Sequence, residues 1–247
     1  INQNKKKIIF TAGPSSLVPE SIYGIAPCFG RNDKDYIKTE NYVLNKLKTI
    51  SGHRNIARMQ GSGSFALELV CSNFLYGKVL IISTGYYSDR LLQIAKYSKK
   101  TFKKINKIYH IDWKKMNKFQ NKVDWIWACC TETSKGITIP ISELKKLSKK
   151  TKSKLALDAT ASFGLEKNHK LADVISFSSC KGLFALTGAS FVCFNKKPRN
   201  KINSFILNLD NHLKKKMTGP YHIIQSLEYI LKNYNQFKKT VLVNKKK

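Results

Sequence analysis

The feature that most constrains this chain is a repeated alternation of short, mainly apolar runs with longer amphipathic stretches. Residues 56–60 predict a strand and 64–75 a helix; 79–83 predict a strand and 87–97 a helix. Further on, 125–130 read as a strand, 141–149 as a helix and 155–158 as a strand, with two more strands at 174–178 and 189–194. A strand open to water on one face alternates polar with apolar residues, whereas a strand covered on both faces is apolar throughout. Val79-Leu80-Ile81-Ile82 is of the second kind. The expected fold class is therefore α/β, three αβα layers around a mostly parallel central sheet. In such a fold ligands lie outside the carboxyl ends of the strands. The residues following each apolar run are the ones to read for chemistry. No Pro/Gly/Ser-rich linker and no internal repeat divides the chain, and 247 residues can build one large domain around a substantial core.

Three such segments stand out. Gln60-Gly61-Ser62-Gly63-Ser64-Phe65 leaves a strand and opens a helix. Its glycines permit a tight turn, and Ser62, Gly63 and Ser64 offer hydroxyls and backbone N–H groups at a helix N-terminus, where an anion is stabilised. The same residues also fit a plain strand-to-helix turn with Ser64 as the N-cap. They lack the lysine of a P-loop and the third glycine of a dinucleotide fingerprint. The second segment, Leu157-Asp158-Ala159-Thr160, puts an acid at the end of an apolar strand, suited to a ligand or to a turn. The third, Ser178-Ser179-Cys180-Lys181-Gly182, isolates one lysine among small and apolar residues, while most other lysines sit in charged runs. A lysine amine removed from water gives up its proton more readily and can attack an aldehyde. The competing role is a snorkelling surface side chain.

The net charge of +30 raises the question of polyanion binding, and the composition argues against it. Of the 45 basic residues only Arg31, Arg54, Arg58, Arg90 and Arg199 are arginine, the side chain whose planar fork reads phosphates and guanines. The lysines run along the whole chain and form no stripe with interleaved aromatics, so nucleic acid is not the expected partner. The six cysteines show no metal-site spacing, so no metal is expected and the thiols are expected to be reduced. The basic stretch 2–7 is followed only by a short apolar run at 8–10, unlike a secretory leader. No apolar run nears the roughly 18 residues of a membrane span. A cytoplasmic protein without membrane partners is expected.

Taken in order, these segments resemble the class V aminotransferases, fold type I enzymes that use pyridoxal 5′-phosphate, and above all the alanine–glyoxylate and 2-aminoethylphosphonate–pyruvate branch. The resemblance begins at Thr11-Ala12-Gly13-Pro14 and passes through Gly61-Ser62-Gly63-Ser64 and Gly85-Tyr86-Tyr87-Ser88-Asp89-Arg90. It continues through Thr131-Glu132-Thr133-Ser134-Lys135-Gly136, the Asp158 and Lys181 segments, and Met217-Thr218-Gly219-Pro220. It implies a cofactor-binding large domain over residues 1–240, with 1–40 contributing to the active site or a dimer interface. It also implies a tail at 241–247 and no C-terminal small domain.

The resemblance implies roles as well. Lys181 would hold the cofactor as a Schiff base and shuttle the reaction's proton, while Asp158 would pair with the ring nitrogen. Tyr87 would stack on the ring, and Ser62, Gly63 and Ser64 would hold the phosphate. Thr133 would touch the phenolic oxygen and Thr160 line the opposite face. Cys180 stands where the family commonly has a polar amide or histidine, so Ser179 is expected to supply the missing contact. Thr218, or nearby Tyr221, would reach the phosphate from the neighbouring subunit of a homodimer with shared sites. The implied reaction moves an amino group between a small donor, alanine or 2-aminoethylphosphonate-like, and a 2-oxo acid such as pyruvate. Lys181 and Asp158 equally fit a lyase or decarboxylase on the same fold. A chain without the arginine-bearing small domain also fits a cofactor-binding protein that does not turn over. Arg31 and Arg90 are candidates for other contacts, and each equally fits a structural role.

Overall fold

The computed structural model describes residues 13–15, 20–23, 25–27, 30 and 32–245; Thr11, Ala12, Cys28 and Arg31 lie outside the described residues. In chain order the strands are β1 (Asn55–Gln60), β2 (Gly77–Ser83), β3 (Ile105–Asp112), β4 (Trp125–Cys129), β5 (Thr131–Glu132), β6 (Ile137–Thr138), β7 (Lys154–Asp158), β8 (Val174–Ser178) and β9 (Ala189–Phe194). The helices are α1 (Glu20–Tyr23), α2 (Lys34–Ser51), α3 (Gly63–Phe74), α4 (Tyr86–Phe102), α5 (Ile141–Lys150), α6 (Leu209–Leu213), α7 (Tyr221–Lys232) and α8 (Tyr234–Lys245).

Seven strands make one sheet in the order β1-β9-β8-β7-β4-β2-β3, and β5 pairs with β6 in a short separate ribbon. Within the large sheet β9 runs antiparallel to both neighbours and the other pairings are parallel. The carboxyl ends of β1, β2, β4, β7 and β8 therefore all open on one edge, the site-bearing edge of a parallel sheet.

The period of two along each strand sorts the core into two faces. Val79 and Ile81 of β2, with Trp125 and Trp127 of β4, pack against Leu67, Leu69 and Val70 of α3 and Leu91 and Ile94 of α4. Leu80, Ile82, Ile126 and Ala128 share the opposite cluster with Val43 and Leu47 of α2, Leu144 and Leu147 of α5, and Leu227 and Ile230 of α7. Every residue of β4, β8 and β9 is buried, which is why these runs carry no charged side chain and no polar one larger than serine. On the second face Phe163 stacks on Phe177 at 3.6 Å and Phe177 on Phe191 at 5.2 Å. Each buried ring contributes roughly 2 kcal/mol or more through lost water contact, and the row anchors the turn after β7 to the sheet.

β3 and α2 are among the elements that escaped the reading of apolar runs. β3 is the sheet's edge, its residues largely half-buried or exposed, so Asn106, Lys107 and His110 interrupt any apolar run. α2 is bounded by explicit signals: Asp33 accepts the Tyr36 N–H at 3.0 Å, and Gly52 closes the helix at φ 71° with its N–H on the Lys48 carbonyl. At the other end α8 continues to Lys245, past the expected start of a tail at 241.

Candidate active site

Where the carboxyl ends of β1, β4, β7 and β8 meet, they surround a cavity of about 270 Å³. Ser62, Gly63 and Ser64 line it from the β1 edge, Tyr87 from α4, and Thr133 from the loop after β5. Asp158 and Thr160 enter from β7, and Lys181 from the loop after β8. Residues separated by more than a hundred positions thus share one pocket because parallel strands deliver their carboxyl ends to the same edge.

The β1 side can receive an anion. Ser62 is the N-cap of α3, and its side chain makes no capping hydrogen bond. The N–H groups of a helix's first turn have no partner within the helix, and the macrodipole there amounts to about half a positive charge. The expected alternative, Ser64 as the cap, is not what forms; Ser64 instead lies in the first turn, where its Oγ accepts from Arg90 Nη1 at 2.9 Å. Gly63 is small for a reason: a Cβ there would sit 3.2 Å from Thr160 Oγ1. Arg90 itself is held over the faces of Tyr86 and Tyr87, at 5.4 and 5.2 Å from the ring centroids.

The β7 side presents a carboxylate. Asp158 is 5% exposed and its Oδ1 accepts the Thr160 N–H at 2.9 Å. Burial pushes its carboxyl above the ordinary aspartate range, opposed by the Thr160 hydrogen bonds and the charges of Arg90 and Lys181. A carboxylate desolvated in this way gains when a cationic nitrogen is placed against it. Beside it, burial and then Asp158 hold the Cys129 thiol well above its usual pKa, so this cavity-lining sulfur stays protonated.

Lys181 also lines the cavity. Its Nζ lies 5.5 Å from the Tyr87 ring centroid. Gly13, at φ 137°, lets the N-terminal segment pass close by: a Cβ there would be 2.8 Å from Lys181 Cε and 2.9 Å from Nζ. Ser15 then donates its N–H and its hydroxyl to the Cys180 carbonyl, at 2.8 and 3.1 Å. The loop is closed from within as well, because Ser179 N–H donates to the Ala189 carbonyl and Phe184 N–H to the Lys181 carbonyl.

Tyr87 is positioned by a residue that the sequence reading left without a role. Glu132 is fully buried, and its Oε2 accepts the N–H groups of Tyr87 at 3.1 Å and Ser88 at 3.2 Å. The other oxygen takes the Ser134 N–H at 3.2 Å and the Ser134 hydroxyl. One carboxylate thereby ties the start of α4, with Tyr87, to the loop that carries Thr133. Gly85, at φ 154°, makes room for it, since a Cβ would fall 3.0 Å from Glu132 Cγ.

Two expected residues lie elsewhere. Ser179 is fully buried and its hydroxyl donates to the Leu186 and Ala189 carbonyls, at 2.5 and 3.2 Å, while its neighbours Ser178 and Cys180 line the cavity in its place. The physical reason is the alternation of side chains at the end of β8, which sends Ser179 away from the pocket. Thr218 is exposed and sits outside this chain's cavity, next to Gly219, whose backbone packs on the Arg58 guanidinium. Arg90 was legible in principle: it follows Tyr87 by three positions and so shares its helix face.

Comparison with known proteins agrees with the geometry. The profile of the family described as aminotransferase class V matches residues 35–211. A 2-aminoethylphosphonate–pyruvate transaminase of Pseudomonas entomophila is 25% identical over 253 residues, covering 93% of this chain and 69% of its own length. One from Klebsiella pneumoniae is 26% identical, over 83% of this chain and 63% of its own. Among solved structures, an alanine–glyoxylate aminotransferase of Nostoc superposes with a TM-score of 0.77 at 18% identity, over 96% of this chain and 72% of that one. A ureidoglycine–glyoxylate aminotransferase of Bacillus subtilis gives 0.75 at 17% identity, covering 90% of this chain and 64% of its own. These structural likenesses establish the shared fold.

Proposed function

This chain belongs to the class V aminotransferase family of pyridoxal-phosphate enzymes, and on that premise we propose that it moves an amino group from a small donor to a 2-oxo acid. The donor is alanine or a 2-aminoethylphosphonate-like amine, and the acceptor is a compound such as pyruvate; the named relatives support that choice. The observation that carries the reading is the convergence of the Lys181 amine, the Asp158 carboxylate and the unspent N-terminus of α3 on one cavity.

The residues present fit the cofactor. Ser62, Gly63 and Ser64 offer N–H groups and hydroxyls to a phosphate, and Gly63 lacks the Cβ that would crowd Thr160. Buried Asp158 would take the ring nitrogen and hold a proton on it, and Tyr87 and Thr160 would face the ring from the cavity walls. Thr133 would meet the ring's phenolic oxygen. When bound, pyridoxal phosphate supplies an electron sink for the carbanion formed at the substrate's Cα. Lys181 Nζ would hold the cofactor covalently and would carry the proton at the substrate's Cα. Gly13 and the backbone around Cys180 hold that side chain in reach.

The proposed assembly is a homodimer in which Thr218 reaches the neighbouring copy's phosphate; the exposure of Thr218, on a segment braced by Arg58, supports it. The described cysteines are free thiols, which supports a reducing compartment such as the cytoplasm. No helix among the described residues is long and apolar enough to cross a membrane.

The test is absorption of wild type and Lys181→Ala with added pyridoxal phosphate, before and after borohydride, followed by peptide mass mapping. A visible band that borohydride fixes on the Lys181 peptide, that an amino donor bleaches, and that pyruvate then restores as alanine forms, is expected for wild type alone. Absence of the band in wild type, or a label on another lysine, overturns the reading. Donor consumption that releases ammonia or carbon dioxide would instead identify a lyase or decarboxylase.

A further inference from the structure

We propose that Arg90 is a phosphate ligand of this cavity and makes it prefer a phosphorylated aldehyde to an unphosphorylated one. The inference rests on the cofactor reading above. It starts from a charge balance. A phosphate monoester carries about −1.5 to −2 at neutral pH, whereas the α3 N-terminus offers only about half a positive charge. About 1 to 1.5 units of negative charge are left for side chains to meet, and Lys181 is engaged at the aldehyde.

Arg90 is placed and prepared for that task. It lines the cavity, and its Nη1 donates to Ser64 Oγ at 2.9 Å, in the first turn of α3. The contrast with Arg58 is informative. Arg58 is neutralised by Glu40 at 2.7 Å, while Arg90 is held by neutral partners, the Ser64 hydroxyl and the faces of Tyr86 and Tyr87. Stacking on two rings fixes the plane of the guanidinium without consuming its charge. A guanidinium has five N–H donors, and one is spent on Ser64. Ser64 Oγ, accepting from Arg90, can turn its own proton toward a phosphate oxygen, so the arginine acts directly or through that hydroxyl. Asp158, which lines the same cavity, feels the Arg90 charge as well. The residue therefore helps to keep the carboxylate ionised while it binds the anion.

The experiment compares dissociation constants of pyridoxal phosphate and pyridoxal for wild type, Arg90→Gln and Arg90→Lys, read by absorption titration. Both aldehydes can make the same link to Lys181, so their ratio isolates the phosphate. Arg90→Gln is expected to weaken pyridoxal phosphate by about 10- to 100-fold, the range for a lost charged hydrogen bond, and to leave pyridoxal nearly unchanged. Arg90→Lys should fall between, because it keeps the charge and loses the fork. Equal losses for both aldehydes, or no loss for either, would overturn the proposal by making Arg90 a mere prop for Tyr87. If wild type binds neither aldehyde, the cofactor reading fails, and the melting temperature with inorganic phosphate decides Arg90 separately. A phosphate-induced rise in wild type that Arg90→Gln abolishes supports the site; the same response in both proteins, or none, overturns it. Circular dichroism identifies a glutamine variant that has not folded, in which case the lysine variant is the one compared.

Discussion

Asp158→Asn should make the ligand-free chain more stable at neutral pH while weakening its hold on the cofactor. The Asp158 side chain is 5% exposed and keeps the Thr160 N–H at 2.9 Å, a contact that an asparagine oxygen can also accept. What the substitution removes is a buried negative charge. Desolvation raises this carboxyl's pKa, and the Thr160 hydrogen bonds with the Arg90 and Lys181 charges only partly offset the rise. A group whose pKa is raised on folding binds its proton more tightly folded than unfolded. Its stabilising contribution is complete below the unfolded value of about 3.9 and is lost as pH climbs through the higher folded value. Above that window wild type holds a charge that asparagine lacks. A partly compensated buried charge of this kind costs on the order of 1–2 kcal/mol. At about 2–4 °C per kcal/mol for a chain of this size, the variant should melt about 2–8 °C higher near pH 7.5. Thermal unfolding followed by circular dichroism between pH 4 and 8 measures it. The gap should be small at pH 4 and widen upward. Added pyridoxal phosphate should reverse the order, because the ligand stabilises the protein that binds it more tightly. A ligand-free variant less stable than wild type at pH 7.5, or a gap indifferent to pH, would refute the electrostatic account.

The remaining predictions concern the two other buried carboxylates among the described residues. Glu40 is 1% exposed, bonded to Arg58 at 2.7 Å, to the Tyr36 hydroxyl at 2.9 Å and to Lys215. Burial works against its charge, but Lys215, Arg58 and Tyr36 together hold the carboxyl below its usual range. Its contribution is therefore present at neutral pH and lost as pH falls below the usual glutamate range toward that lower value. Glu40→Gln strands Arg58 and should cost about 3–5 kcal/mol, seen as a lower urea midpoint at unchanged slope; a midpoint within error of wild type would count against it. Glu132→Gln sets an amide among N–H donors. It should cost about 2–3 kcal/mol and weaken pyridoxal phosphate by loosening Tyr87, and unaltered affinity would show that the clamp does not position the ring.

The sheet and its opening edge were legible because full burial on both faces demands apolar runs, as in β2 and β4, and such runs need no knowledge of their partners. β3 was invisible for the converse reason: an edge strand keeps its polar side chains. The candidate site divides along a similar line. Lys181, Asp158 and the Ser62–Ser64 turn each stand at the end of an apolar run, and the topology brings all of them to one cavity. Ser179 and Arg90 depended on direction. Whether a side chain at a strand end faces the pocket or the core is a matter of one residue of register, and Ser179 falls on the core side.

The sequence by itself therefore determined the alternation of strand and helix, the edge on which chemistry collects and the residue types that collect there, because burial and backbone geometry act within a few residues. Only the tertiary structure decided that Glu132 clamps the N-terminus of α4, 44 residues away from Ser88, that Arg58 is neutralised by Glu40 while Arg90 keeps its charge for the cavity, and that Gly13 lies against Lys181. Those assignments depend on which groups share a low-dielectric space after the chain has closed on itself, and proximity of that kind is not written in the spacing of residues along it.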